Sequence, residues 1–130
     1  MWSILLVDDS RVVREVLKVY LIARDVRLVD AADGVEALAA IQVEAPDVVV
    51  TDLRMPRLDG AELCRTLHSQ PRTKQLPVII LTSHLTPDVE MRCREAGAAA
   101  VLAKPIQPKR LLEEIARVLA PNAKDGACQA

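Results

Sequence analysis

The sequence predicts an α/β protein with a doubly wound, five-stranded parallel sheet in the order 2-1-3-4-5 and helices on both faces. Three observations predict it. Short β-rich runs alternate strictly with segments of helical period along the chain. All but one of those runs are nearly continuously apolar, as strands covered on both faces must be. The exception alternates apolar and polar residues, which suits an edge strand. Right-handed crossovers make such a sheet doubly wound, and 2-1-3-4-5 is the common order for five strands.

The first strand is SILLV (3–7), and the helix after it covers 11–23, with Val12, Val13, Val16, Leu17 and Tyr20 at helical spacing. VRLVDA (26–31) is the alternating run and is placed on the edge. A helix over 34–44 follows, carrying Val35, Leu38 and Ile41. Asp33-Gly-Val-Glu36 before it has the form of a capping box, in which the acid accepts an orphan N–H and the glutamate reaches back. DVVVT (47–51) is the third strand. Asp59-Gly-Ala-Glu62 repeats the capping pattern at the start of the third helix, 60–68, whose face is Leu63, Cys64 and Leu67. PVIIL (77–81) is the fourth strand. Thr86-Pro87 introduces a helix over 88–96 on Val89, Cys93 and Ala96, with Gly97 as its left-handed stop. AAVLA (99–103) is the fifth strand, and Gln107-Pro108 opens the last helix, 108–119, on Leu111, Leu112, Ile115, Val118 and Leu119. One domain over 1–120 and a short flexible tail over 121–130 are expected.

Composition narrows the function. A net charge of -1 gives no electrostatic footprint for nucleic acid or anionic lipid. Aromatics are limited to Trp2 and Tyr20, so stacking platforms for single strands are excluded and the core is Val, Leu, Ile and Ala. Cys64, Cys93 and Cys128 are odd in number and far apart, against a disulfide frame or a zinc site. They read as small apolar fillers plus one thiol in the tail. Acids arrive too early for a signal peptide, and no apolar run approaches the roughly 20 residues needed to span a bilayer. A cytoplasmic, soluble protein without a membrane partner is expected.

Ligands of such a sheet bind beyond the carboxyl ends of the strands, where strand order reverses. The residues there are Asp8 and Asp9 after the first strand, Asp52 after the third, Thr82 after the fourth and Lys104 after the fifth. With strands one and three as neighbours, Asp8, Asp9 and Asp52 converge in one crevice. Crowded carboxylates repel, and a hard divalent cation with oxygen ligands, Mg²⁺, relieves that repulsion. Lys104 adds a positive charge and Thr82 a hydroxyl donor. The set suits a phosphoryl group, and Asp52, at the end of the central strand, is the best placed nucleophile for forming an acyl phosphate. Each residue alone has a plain reading: Asp8-Asp9 as a helix entry, Asp52 as a turn acid, Lys104 as a solvated lysine. Together those readings require separate strand ends to supply phosphate-compatible groups by coincidence. Asp59 is assigned to capping. His68 is expected to be solvated on its helix, and Met55 and Met91 to be packing residues.

LLVDDS, DVVVTDLRMPRLDG, PVIILTS and LAKPIQP, in that order and spacing, resemble the receiver domain of bacterial two-component response regulators, from Ser3 to about Ala120. The resemblance implies a flavodoxin-like receiver fold and a role for each position. Asp52 would accept a phosphoryl group from a histidine kinase or phosphotransfer protein. Asp9 and Asp52 would bind Mg²⁺ directly, Asp8 through water, and the backbone carbonyl of Arg54 would be a further ligand. Lys104 would pair with the phosphoryl group, Thr82 would hydrogen-bond it, and the Lys104–Pro105 bond would be cis. Such a protein is a switch, an enzyme only toward its own phosphorylation and dephosphorylation.

Departures from the family pattern matter too. Three residues before the lysine, where Tyr or Phe is usual, stands Val101, too short and stiff to sweep a ring between two positions. Ile106 stands where Phe is frequent. Arg54 and His84 hold the positions that flank the path of the hydrolytic water, so they are expected to modulate the phosphate's lifetime. A stand-alone receiver acting on a downstream protein is the leading expectation. The alternatives are a phosphorylation-independent interaction module and a receiver excised from a larger regulator. A phosphatase acting on external substrate is disfavoured because Arg54 stands where a second acid would be needed, and a flavin protein because aromatics are missing.

Overall fold

The computed structural model describes residues 2–22 and 25–128, with side chains described through 119. The elements are β1 (Trp2–Val7), α1 (Arg11–Leu21), β2 (Val26–Ala31), α2 (Gly34–Val43), β3 (Val48–Asp52), α3 (Gly60–His68), β4 (Val78–Thr82), α4 (Pro87–Glu95), β5 (Ala100–Ala103) and α5 (Pro108–Cys128). The tail expected over 121–130, Cys128 included, falls outside the residues whose side chains are described.

All four strand pairings are parallel, and the order is β2-β1-β3-β4-β5. The alternating run is the edge strand β2, whose burial alternates along its length. β1, β3 and β4 are buried on both faces because each strand sends successive side chains to opposite layers. One layer, under α2, α3 and α4, contains Leu5, Val49 and Ile80 with Ile41, Leu63 and Leu67. The other, under α1 and α5, contains Ile4, Val50 and Ile79 with Leu17, Leu111 and Ile115. Fully burying each such side chain contributes about 1.5–3 kcal/mol.

The helix signals mostly hold. The capping box of α3 is complete: Asp59 Oδ1 accepts from Glu62 N at 2.8 Å and Glu62 Oε1 from Asp59 N at 2.9 Å. At α2 it is half made: Asp33 accepts from Glu36 N, but Glu36 reaches one residue further back, to Ala32 N. Thr86 caps α4 with Pro87 in its first turn, and Gly97 takes φ 105° after α4. Cys64 and Cys93 are free and buried, as fillers should be. Burial pushes the Cys64 thiol up to about 12, so it stays protonated and inert.

Several faces differ from expectation. α1 buries Leu17 and Leu21, while Val12 and Val16 face solvent. The sheet takes a narrower stripe of α1 than its many valines suggest. α2 packs through Gly34, Ala37 and Ile41, because small residues let the helix approach closely, and Val35 is exposed. Met55 packs on the core, but Met91 is exposed. His68 is partly buried and hydrogen-bonded, not freely solvated. Its Nε2 is 2.7 Å from the Leu76 carbonyl, and its ring occupies the space that a side chain at Gly97 would need.

Candidate functional site

The register turns distant sequence into one crevice. Val7 pairs with Thr51, so Asp8 and Asp52 leave adjacent strands side by side. Asp52 pairs with Leu81, and Thr82 with Ala103, so Thr82 and Lys104 follow one step further along the sheet. One carboxylate oxygen from each of Asp8, Asp9 and Asp52 lies within 4.8 Å of the others. Lys104 Nζ is 3.1 Å from Asp8 Oδ2 and 3.0 Å from Asp52 Oδ1. The Lys104–Pro105 bond is cis.

Each acid has its own surroundings. Asp8 is buried and its Oδ1 accepts from Ser10 N at 2.9 Å. Asp9 is exposed at the mouth of the crevice. Asp52 is half-buried, and burial holds its carboxyl above the usual carboxylate range. The hydrogen bond from Lys104 opposes that rise, and the charge of Asp8 adds to it. Burial pulls the Lys104 ammonium down, but its bonds to Asp52 and Asp8 outweigh this and raise it. The partly buried lysine therefore stays charged. Three carboxylates and one ammonium leave a deficit of two positive charges in an all-oxygen donor set, which fits a hard divalent cation.

Thr82 is buried at the end of β4, and its hydroxyl oxygen accepts from His84 N at 3.2 Å. The His84 and Arg54 side chains are exposed in the loops after β4 and β3. Val101 is buried in the core under α2, α3 and α4.

Sequence reasoning missed three supports. Arg14 Nη1 donates to the Asp8 carbonyl at 2.5 Å and its Nε to Asp30 Oδ2 at 2.9 Å, tying α1 to the end of β1 and to the edge strand. Lys18 Nζ joins Asp30 at 3.3 Å. Burial of Asp30 raises its pKa, but the hydrogen bonds from Arg14 and Lys18 outweigh that and leave it lowered. Only the pairing of Leu6 with Asp30 brings these residues together, so no local spacing announces them. The third is Gly60. A Cβ there would lie 2.4 Å from the Asp52 carbonyl oxygen and 3.1 Å from Leu53 Cα. Asp59-Gly60 was legible as a helix start; that α3 begins against the backbone of Asp52 was not.

The family model described as "Response regulator receiver domain" matches residues 4–116. Response regulator MprA of Mycobacterium leprae (strain TN) is 39% identical over 126 residues, 97% of this chain and 54% of that protein. The chain thus spans about half the length of the curated relatives it matches. A putative response regulator from Chloroflexus aurantiacus J-10-fl is similar in structure, with a TM-score of 0.88, 35% identity, and coverage of 92% of this chain and 98% of that one. The receiver domain of sensor histidine kinase PA1611 from Pseudomonas aeruginosa PAO1 has a TM-score of 0.84 and 29% identity, over 92% of this chain and 98% of its own. That domain was solved with a magnesium ion coordinated in its active-site cleft. A match that runs through both buried layers and every strand end of the crevice leaves one assignment: the chain belongs to the response regulator receiver domain family.

Proposed function

We propose that the protein is a phospho-accepting switch in which Asp52 takes a phosphoryl group from a histidine kinase or phosphotransfer protein and thereby alters a surface that binds a downstream protein. One observation carries the reading: Lys104 bridges Asp8 and Asp52 at 3.1 and 3.0 Å, with the Asp9 carboxylate alongside. In the transfer, an Asp52 oxygen attacks phosphorus as the bond to the donor imidazole breaks, and the imidazole leaves with the electron pair. The product is an acyl phosphate on Asp52. Lys104, released from its bridge to Asp52, then faces the new oxygens, and the Thr82 hydroxyl donates to one of them.

Asp9 and Asp52, the Arg54 backbone carbonyl and, through water, Asp8 would hold Mg²⁺. When bound, the ion offsets the negative charge gathered on the transferring oxygens. The magnesium-bearing cleft of the Pseudomonas relative supports this choice. Arg54 and His84 border the exposed mouth of the crevice and are assigned to tuning the lifetime of the acyl phosphate. Val101, at the strand next to Thr82, sets how much movement β5 makes.

The test is incubation with Mg²⁺ and acetyl phosphate, read by intact mass. A phosphoryl increment on the native chain that disappears in Asp52→Asn supports the switch. No increment together with no Mg²⁺ binding selects a constitutive interaction module, the reading that buried Val101 favours.

A further inference from the structure

Away from the crevice, helix α2 carries an outer face that packing within one chain does not account for. Gly34, Ala37 and Ile41 turn one side of the helix to the sheet. On the opposite side Val35 is 45% exposed and Val43 86%, with exposed Ala39 midway between them. Glu36 is the one ionisable side chain in the ten residues of α2. A surface helix normally turns charged and polar residues to water, and a helix apolar all round is normally buried all round. The other helices follow that rule. α4 has Asp88, Glu90, Arg92, Arg94 and Glu95 in nine residues, and Arg11 and Glu15 stand among the exposed valines of α1. Beside Val43 the apolar face of α2 runs on into a groove of about 140 Å³ against the edge strand β2, lined by Leu5, Val29 and Ala40.

Val35, Ala39 and Val43 are spaced four apart, so they form one ridge along the helix. The ridge reads the same in both directions: large, small, large. A second helix of this sequence, laid antiparallel and centred on Ala39, sets Ala39 against Ala39. Val35 of each copy then meets Val43 of the other. The small central residue lets the two axes approach, and the valines close both ends of the contact. Ridges of this kind interdigitate at a crossing angle of about −50°. The charges favour the same direction. Glu36, Ala40 and Glu44 form the next row of the helix, the one that borders β2. Glu36 is at its N-terminal end, held by a bond from Ala32 N at 2.9 Å. Arg27 of β2 is at its C-terminal end, 2.9 Å from Glu44, and both of these side chains are more than half exposed. An antiparallel approach carries Glu36 of each copy to Arg27 of the other, whereas a parallel one sets the two Glu36 carboxylates at one level.

We infer that the outer face of α2 is covered by a second copy of this chain, in an antiparallel dimer whose two-fold axis passes by Ala39. A two-fold contact of this kind uses the same patch on both copies and closes at two. A single helix crossing falls at the low end of specific interfaces, under about 1,200 Å² in all. The dimer is therefore a weak one, with an expected dissociation constant on the order of 10–100 µM. It goes beyond the proposed switch and does not depend on phosphoryl uptake.

The test is sedimentation equilibrium of the unphosphorylated full chain from about 5 to 500 µM, a range that spans the expected dissociation constant. A reversible equilibrium between monomer and dimer is expected. Ala39→Arg sets two like charges together at the axis while keeping a good helix former on an exposed position, and should weaken the dimer at least about tenfold. Val12→Lys, the same charge change on the exposed side of α1, should leave it unchanged. Circular dichroism verifies folding of each variant. Disulfide trapping with copper phenanthroline then locates the contact, in a Cys128→Ser background where Cys64 and Cys93 are buried. Ala39→Cys should give a covalent dimer and Val12→Cys should not. A chain that stays monomeric at every concentration would overturn the inference and leave the face to another partner or to solvent. So would a dimer indifferent to Ala39→Arg, a dimer lost in Val12→Lys instead, or equal trapping at both positions. Phosphoryl uptake is read separately by mass, so failure of the dimer and failure of the switch are distinguishable.

Discussion

Asp52 holds its place in the crevice at a cost in stability. Burial and the neighbouring Asp8 raise its pKa, so the folded state favours the protonated form more than the unfolded chain does. A raised carboxyl contributes stability that is complete below its unfolded pKa and lost as pH rises through the folded one. At neutral pH the ionised Asp52 is therefore destabilising. In buffer with EDTA, Asp52→Asn should raise the unfolding midpoint by a few degrees at pH 7, and the advantage should shrink as pH falls toward the carboxylate range. Added Mg²⁺ should stabilise the native chain more than the variant. Thermal unfolding over a pH series, with and without Mg²⁺, measures both, and a variant less stable than the native chain at pH 7 would contradict the argument. Arg54 supplies a second prediction at this scale. Its side chain is exposed in the loop after β3, and the proposed switch assigns it to screening the phosphate and obstructing hydrolytic water. Arg54→Ala should shorten the lifetime of the phosphorylated form severalfold in a timed dephosphorylation assay, and an unchanged lifetime would reduce Arg54 to a solvated loop residue.

At the scale of elements, what was legible depended on how local the signal is. Strand runs and helix starts are written within a few consecutive residues, so β3 and the α3 capping box could be read directly. Helix faces were harder. The apolar set of α1 spans more of its circumference than the sheet covers, and nothing in its spacing reveals that Leu21 is inside while Val12 is outside. His68 was misread for a similar reason: its partners, the Leu76 carbonyl and the Gly97 turn, belong to other elements. The junction of β3 and α3 yields a prediction. Because a Cβ at Gly60 would meet backbone on β3 and not a flexible side chain, Gly60→Ala must move either α3 or Asp52. It should cost about 1–3 kcal/mol in urea unfolding and reduce the rate of phosphoryl uptake from acetyl phosphate. Helix α4 and strand β5 yield another. Val101 is buried and has no ring to swing, so phosphorylation should reach this face through a small shift of the strand. Amide exchange with and without a beryllofluoride phosphate mimic should show modest changes spread over β4, β5 and α4. A large loss of protection confined to α4 and Val101 would count against this.

For the whole molecule, strand order was recoverable because alternation, handedness and the single half-polar run leave little freedom, and the crevice followed from the order. Asp8, Asp9, Asp52 and Lys104 could be placed together from it. Arg14 and Asp30 could not, because their meeting depends on side-chain reach across two elements. The same order divides the interior into two layers that share one sheet. Ile79 and Ile80 are consecutive on β4, both fully buried, and point to opposite layers. Truncating either to Ala removes the same atoms from equally dry surroundings, so each should cost about 2–5 kcal/mol. The informative quantity is the shape of the unfolding curve. β4 pairs with β3 on one side and with β5 on the other, so neither layer can open without exposing the strands that support the other. Urea unfolding followed by far-ultraviolet circular dichroism and by Trp2 fluorescence should therefore give coincident single transitions in both variants, displaced to lower urea with unchanged slope. Divergence of the two probes in Ile79→Ala alone would mean that the α1–α5 layer opens independently. The crevice would then rest on a local stability lower than that of the whole domain, because Lys104 reaches it from the end of β5 just ahead of α5.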